Sequence, residues 1–146
     1  MISQLHLPDG KIAQHRRELA HALSNVLLPD DLCVAPWRAD GHPDHNVTGE
    51  AALQASRNVG AKYLGYLGWA WHWAEPQGDD IPWSRCRRLD LGRRARARKR
   101  WAIEAFESQI KSIGPMADDA PILPAPVLRR FWRRFEIFID ETDSDV

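Results

Sequence analysis

The run Leu32-Cys33-Val34-Ala35-Pro36, followed by the loop Asp40-Gly41-His42-Pro43-Asp44-His45 and then by helical spacing from Val47 to Val59, constrains the fold more than any other stretch of this chain. A short apolar run of this length reads as a strand, and small, apolar and polar residues recurring at helical intervals read as a helix. Loops that leave the carboxyl ends of parallel strands are where open α/β sheets bind ligands. Two imidazoles and two carboxylates crowded into such a loop therefore mark a reactive address, and the chemistry they suggest is metal-assisted hydrolysis.

The rest of the chain supports an alternation of helices and strands. Lys11 to Leu28 places Ile12, Leu19, Leu23, Val26 and Leu27 on one stripe, as an amphipathic helix does, and Pro29-Asp30-Asp31 ends it. Gly60 closes the next helix as a C-cap. Lys62 to Leu67 is a second strand, and Gly68 to Trp83 a long Trp-, Pro- and Gly-rich loop. Leu91 to Ile110 carries Ala95, Ala102, Ile103, Phe106 and Ile110 on one helical face, stopped by Gly114-Pro115. Val127 to Trp132 reads as a helical turn or two, Phe135 to Ile139 alternates as a last strand, and the acidic residues 140–146 read as a frayed tail. Strand, loop and helix in this order imply parallel pairing with right-handed crossovers, hence an α/β, Rossmann-like domain with a parallel sheet flanked by helices.

Composition narrows the function classes. The chain has 146 residues, 20 Lys and Arg against 20 Asp and Glu, so no global charge draws it to nucleic acid or to an anionic membrane. Cys33 and Cys86 lack the spacing of a zinc knuckle or redox pair and suggest a reducing compartment. With neither a basic-then-apolar leader at Met1 to Gly10 nor a run of about 18 apolar residues, a cytoplasmic protein is expected.

Within the loop, His45 at the mouth of the helix is the candidate metal ligand, and His42 a candidate proton donor to a leaving amine. Asp44 is placed to orient an imidazole, and Asp40 is a second candidate for that task. The plainer alternative is that Asp44 caps the helix while both histidines are solvated. Trp69, Trp71, Trp73 and Trp83 either wall a substrate pocket or extend the preceding strand into the core. His72 among them reads as a hydrogen-bonded structural histidine. The basic run from Arg85 to Arg100, with Trp83 and Trp101 interleaved, raises a nucleic-acid-binding module as a rival. Overall neutrality and the lack of a recognised nucleic-acid fold argue against it, and favour a solvated helix face that pairs with Glu104 and Glu107 and is able to hold an anionic substrate.

Taken together, Ala35 to His45, Trp69-Ala70-Trp71-His72-Trp73, Ile81-Pro82-Trp83, Arg98 to Ile103 and Phe106-Glu107-Ser108-Gln109 resemble the PIG-L (LmbE-like) family of zinc-dependent N-deacetylases, over about Leu7 to Ile139. The resemblance implies hydrolysis of an N-acetyl group on an amino sugar or sugar conjugate, with zinc as cofactor. Carried over by position, it assigns His42 to acid catalysis, Asp44 to its support and His45 to the metal. Trp37, Arg38, Asp40, Trp71 and Trp73 are the candidate substrate contacts. The family's other metal ligands and its general base lie in an Ala-His-Pro-Asp-Asp-type motif upstream of this box, and this chain has no such motif. Residues 1–139 are therefore expected to form a partial deacetylase domain without its first strand or strands, holding zinc weakly or not at all and inactive alone. An exposed sheet edge open to self-association or to a partner chain is also expected. In that case the chain acts as a non-catalytic interaction subunit.

Overall fold

The computed structural model describes residues 2–116 and 119–142 and divides into two compact units, Met1–Arg87 with Ile137–Val146, and Arg88–Glu136. In the first unit the alternation of the two apolar runs produces β1 (Leu32–Pro36) and β2 (Lys62–Tyr66). They pair in parallel, from Leu32 opposite Lys62 to Pro36 opposite Tyr66. Parallel neighbours need a long crossover, and α2 (Pro43–Val59) supplies it. Its C-cap is Gly60, as the sequence indicates.

Period two decides which face of these strands is covered. Cys33, Ala35 and Tyr63 point into a core with Ala52 and Leu53 of α2, against which Leu23 and Leu27 also pack. Leu32, Val34 and Tyr66, one residue out of phase, are exposed. The helix expected from Lys11 to Leu28 is shorter, a 3-10 turn at Ile12–His15 running into α1 (Arg16–Ser24), which packs on α2.

The α/β class expected from the sequence holds, but the sheet is mixed. Its order is β1-β2-β4-β3, where β3 is Cys86–Asp90 and β4 is Phe135–Asp140. β4 runs antiparallel to β2, with Gly65 opposite Ile139. The expectation of a parallel sheet is thus correct for β1 and β2 and wrong for β4. Alternation such as that of Phe135 to Ile139 shows that a strand has a buried face, not which way it runs. β3 escapes a pattern reading because Arg87, Arg88 and Asp90 interrupt it, as charges do on edge strands. β1 ends the strand order among the described residues.

The tail begins later than expected. Thr142 donates its Oγ1 hydroxyl to the Tyr63 carbonyl at 3.2 Å and accepts the Tyr63 N–H at 3.1 Å, while Glu141 is buried beside Arg38. The expected fraying of residues 143–146 lies outside the described residues.

In the second unit the helix expected over Leu91 to Ile110 is broken at Phe106, which leaves helical geometry at ψ 61°. It becomes α4 (Arg93–Ala105) and α5 (Glu107–Ile110), followed by α6 (Ala125–Phe131). Ion pairs join Lys99 to Glu136, Arg100 to Glu104 and Lys111 to Glu107, and Arg88 stacks on the Phe135 ring at 4.2 Å.

α2 approaches the end of β1 so closely that only glycine fits at one contact. A Cβ on Gly49 would lie 2.6 Å from the Arg38 nitrogen and 2.8 Å from its Cα, both backbone atoms that cannot swing aside. Alanine is the better helix former by up to about 1 kcal/mol. Gly49→Ala is nevertheless expected to destabilise the fold by roughly 1–3 kcal/mol, since overpacking displaces backbone. Urea denaturation of the variant checks this, and a stabilised protein would contradict the close approach.

Candidate active site at the Asp40 to His45 loop

The loop is fixed from both ends. β1 delivers Trp37, whose N–H donates to the Tyr66 carbonyl at 2.8 Å. α2 begins with His42 as N-cap and Pro43 in its first turn, where the missing N–H costs nothing. Between them the chain turns at Gly41, with φ 90°. A side chain there would be strained by that angle and would also collide with the Trp73 indole, whose Nε1 donates to the Asp40 carbonyl at 3.0 Å.

Asp40 is fully buried. Its carboxylate accepts the backbone N–H groups of Gly68 at 2.8 Å, Trp69 at 2.7 Å and Ala70 at 2.9 Å. These are the orphan donors at the start of α3 (Ala70–Trp73), so Asp40 caps this turn from the neighbouring loop. The Trp-rich stretch is consequently helical here, neither a loop throughout nor an extension of β2. The same carboxylate lies 2.5 Å from His45 Nδ1. Burial alone would raise the Asp40 pKa, but the bonds from His45, Ala70, Gly68 and Trp69 outweigh it and hold the carboxyl below its ordinary value. An ionised carboxylate can only accept, so Nδ1 of His45 carries a proton toward Asp40, and in the neutral imidazole Nε2 is the nitrogen that keeps the lone pair. That is the arrangement in which a carboxylate orients an imidazole for a metal or a proton.

His42 stands beside this pair, its ring centroid 4.6 Å from that of His45 and 5.6 Å from that of Trp69. Its Nδ1 is buried and has no hydrogen-bond partner among the described residues. Trp69 in turn stacks on His72 at 4.3 Å, and His72 Nδ1 lies 3.1 Å from the Trp69 carbonyl. The structural reading of His72 agrees with this contact.

Asp44 does something else. Its carboxylate accepts the N–H of Gly10 at 2.6 Å and of Ile12 at 3.2 Å, pinning the N-terminal turn to α2. The helix cap is His42, two residues earlier, and the carboxylate that orients an imidazole is Asp40. Asp44 meets neither the support role nor the capping role expected of it.

The five candidate substrate contacts divide by burial. Trp37, Asp40 and Trp71 are buried, whereas Arg38 and Trp73 reach solvent. Arg38 Nε bonds Glu141 at 3.0 Å, and Trp73 holds the loop as described. Trp69, one of the tryptophans weighed as a pocket wall, lies beside His42, and the amides of Gly68 to Ala70 are the parts of the site that sequence reasoning passed over. The one signal for them is Gly68 directly after a strand, where the chain needs space beside His45 and Asp40. Cys33 is buried, with its thiol pushed up by burial, and neither cysteine belongs to the site.

Among the described residues no three His, Cys, Asp or Glu side chains converge on a metal position. Hydrolytic zinc takes three protein ligands, so the donors present do not by themselves fit a zinc centre. No family model, no curated protein and no solved structure matches the chain. No helix of the described residues is long and apolar enough to cross a membrane.

The buried network has a definite pH signature. Because the Asp40 carboxyl is held below its unfolded value, its stabilisation is fully present above about pH 4 and is lost as pH falls through the lowered folded value. Asp40→Asn replaces an acceptor with an amide that must turn a donor toward other donors, at a cost of about 2–3 kcal/mol near neutrality. Acid titrations followed by circular dichroism should show the native protein losing stability below about pH 4, with a shallower loss in the variant. Equal stability of the two proteins at pH 7 would contradict the network.

Proposed function

We propose that the Asp40 to His45 loop is the acid–base half of a hydrolase site of the zinc-dependent N-deacetylase kind, acting on an N-acetyl amino sugar or sugar conjugate. The observation that carries the reading is the contact between His45 Nδ1 and a fully buried, ionised Asp40. A surface histidine needs no such anchor. An imidazole kept in one tautomer with Nε2 open does, whether it meets a metal or a proton. His42 supports the assignment to amide hydrolysis. In this reading His42, at the N-terminus of α2 and beside His45, gives a proton to a departing amine, a step that contributes about 10²–10⁴-fold in known cases.

Among the described residues no group of three His, Cys, Asp or Glu side chains that could hold a metal ion forms at this imidazole. The chain alone should therefore bind zinc weakly and release no amine from N-acetylglucosaminyl conjugates above background. Calorimetric titration with zinc beside an amine-release assay tests this, and tight stoichiometric binding with turnover would overturn it. Weak binding has a further readout in imidazole nuclear magnetic resonance signals. Zinc should perturb His45 ahead of His6, His15 and His21, and His45→Ala should remove the response while His42→Ala keeps it. A response that survives His45→Ala would sink the ligand assignment.

A further inference from the structure

The neutrality of the whole chain conceals two opposite charges. The unit Arg88–Glu136 contains twelve Lys and Arg against six Asp and Glu, a net charge of +6, which leaves −6 for the remainder. Charge asymmetry of this size between parts of a chain points to an anionic ligand. It is concentrated by helical spacing, since Arg93, Arg96 and Arg100 recur at three and four residues and share one face of α4. That face lines a cavity of about 380 Å³, closed by Phe131, Trp132 and Arg133 at the end of α6.

Among the described residues no carboxylate lines this cavity. Of its cations, Lys99 pairs with Glu136 and Arg100 with Glu104, while Arg93 and Arg96 face it with no counterion among the described residues. Arg93 also opens α4, whose first turn has no acidic residue. A cation is disfavoured at that end of a helix dipole. Arg133 is held below its usual pKa by burial and by Arg130, so positive charge is crowded there and an anion would relieve it. Guanidinium groups match phosphate oxygens with paired N–H donors. The half-exposed Trp132 offers an indole on which a planar ring can stack, whereas Phe131 is engaged by Lys99 at 5.8 Å from its centroid. The volume falls in the range of small-molecule sites, roughly 300–1,000 Å³.

From the cavity, the guanidinium groups of Arg93 and Arg96 and the tryptophan at its wall, we infer that this unit binds a mononucleotide-like ligand, a phosphate carried on an aromatic heterocycle. The phosphate lies against Arg93 and Arg96 and the ring lies on Trp132. A nucleic-acid polymer is the competing occupant, because Trp101 is exposed outside the cavity and α4 carries further arginines on its other faces. The cavity favours the small ligand, since its volume of about 380 Å³ lies in the range of small-molecule sites.

Calorimetric titration of the full chain with adenosine 5′-monophosphate, adenosine, inorganic phosphate and a 15-nucleotide oligothymidylate decides the matter. The nucleotide should bind at least about tenfold more tightly than adenosine or phosphate alone, since charge-assisted bonds and stacking each contribute on that scale. Arg96→Gln and Trp132→Ala should each weaken it about tenfold or more, whereas Arg98→Gln, outside the cavity lining, should change it less than about twofold. Unchanged melting temperatures separate these effects from misfolding. The inference is overturned if the nucleotide binds no better than phosphate or not at all. It is equally overturned if the oligonucleotide binds far more tightly than the nucleotide and is indifferent to Trp132→Ala.

Discussion

Four donors converge on the carboxylate of Asp40: the N–H groups of Gly68, Trp69 and Ala70, and Nδ1 of His45. Together these ties join three parts of the first unit. The three amides belong to the chain leaving β2 and entering α3, His45 belongs to the first turn of α2, and Asp40 itself follows β1. A carboxylate at full burial is costly unless its lone pairs are all engaged, and here they are. The same bonds that make its burial tolerable set the start of α3, bring Trp69 to His42 and fix the tautomer of His45. Fold and site therefore share one interaction, and removing it should disturb both.

The packing below the loop explains why that interaction is rigid. Ala51, Ala52 and Ala55 are almost completely buried, so small side chains let α2 lie close on the sheet. Gly49 permits a still closer approach at the end of β1. Tyr63, fully buried, donates its hydroxyl to the Pro36 carbonyl at 3.0 Å and has its pKa raised by burial, with Glu141 adding to the effect. The residue just before Trp37 is thus tied to the second strand. By contrast, Leu32 and Val34 remain exposed on the face of β1 that the helices do not cover.

Much of this was legible in the sequence, and the parts that were not share a cause. β1, α2, β2 and β4 follow from local periodicity, and the cluster of His and Asp marked the loop at once. Local patterns carry no information about direction or distant partners, which is why β4 was expected to be parallel and why Asp44 rather than Asp40 was preferred as the support of an imidazole. Asp44 is the nearer neighbour of His45 in sequence, yet the first turn of α2 carries it toward Gly10. The helical turn at Ala70–Trp73 depends on a capping carboxylate thirty residues away, beyond the reach of propensity. Charge misled in another way. A neutral total argues only against a global attraction to anions, and it sums two units of opposite sign.

The central claim is that Asp40 holds His45 with its proton on Nδ1 and its Nε2 open. Long-range proton–nitrogen correlation spectra of the imidazoles in the native protein at neutral pH test it most directly. The account predicts that His45 is a single Nδ1–H tautomer, distinguishable from the exposed His6 and His21. A His45 protonated at Nε2, or one exchanging freely between the two tautomers, would contradict it.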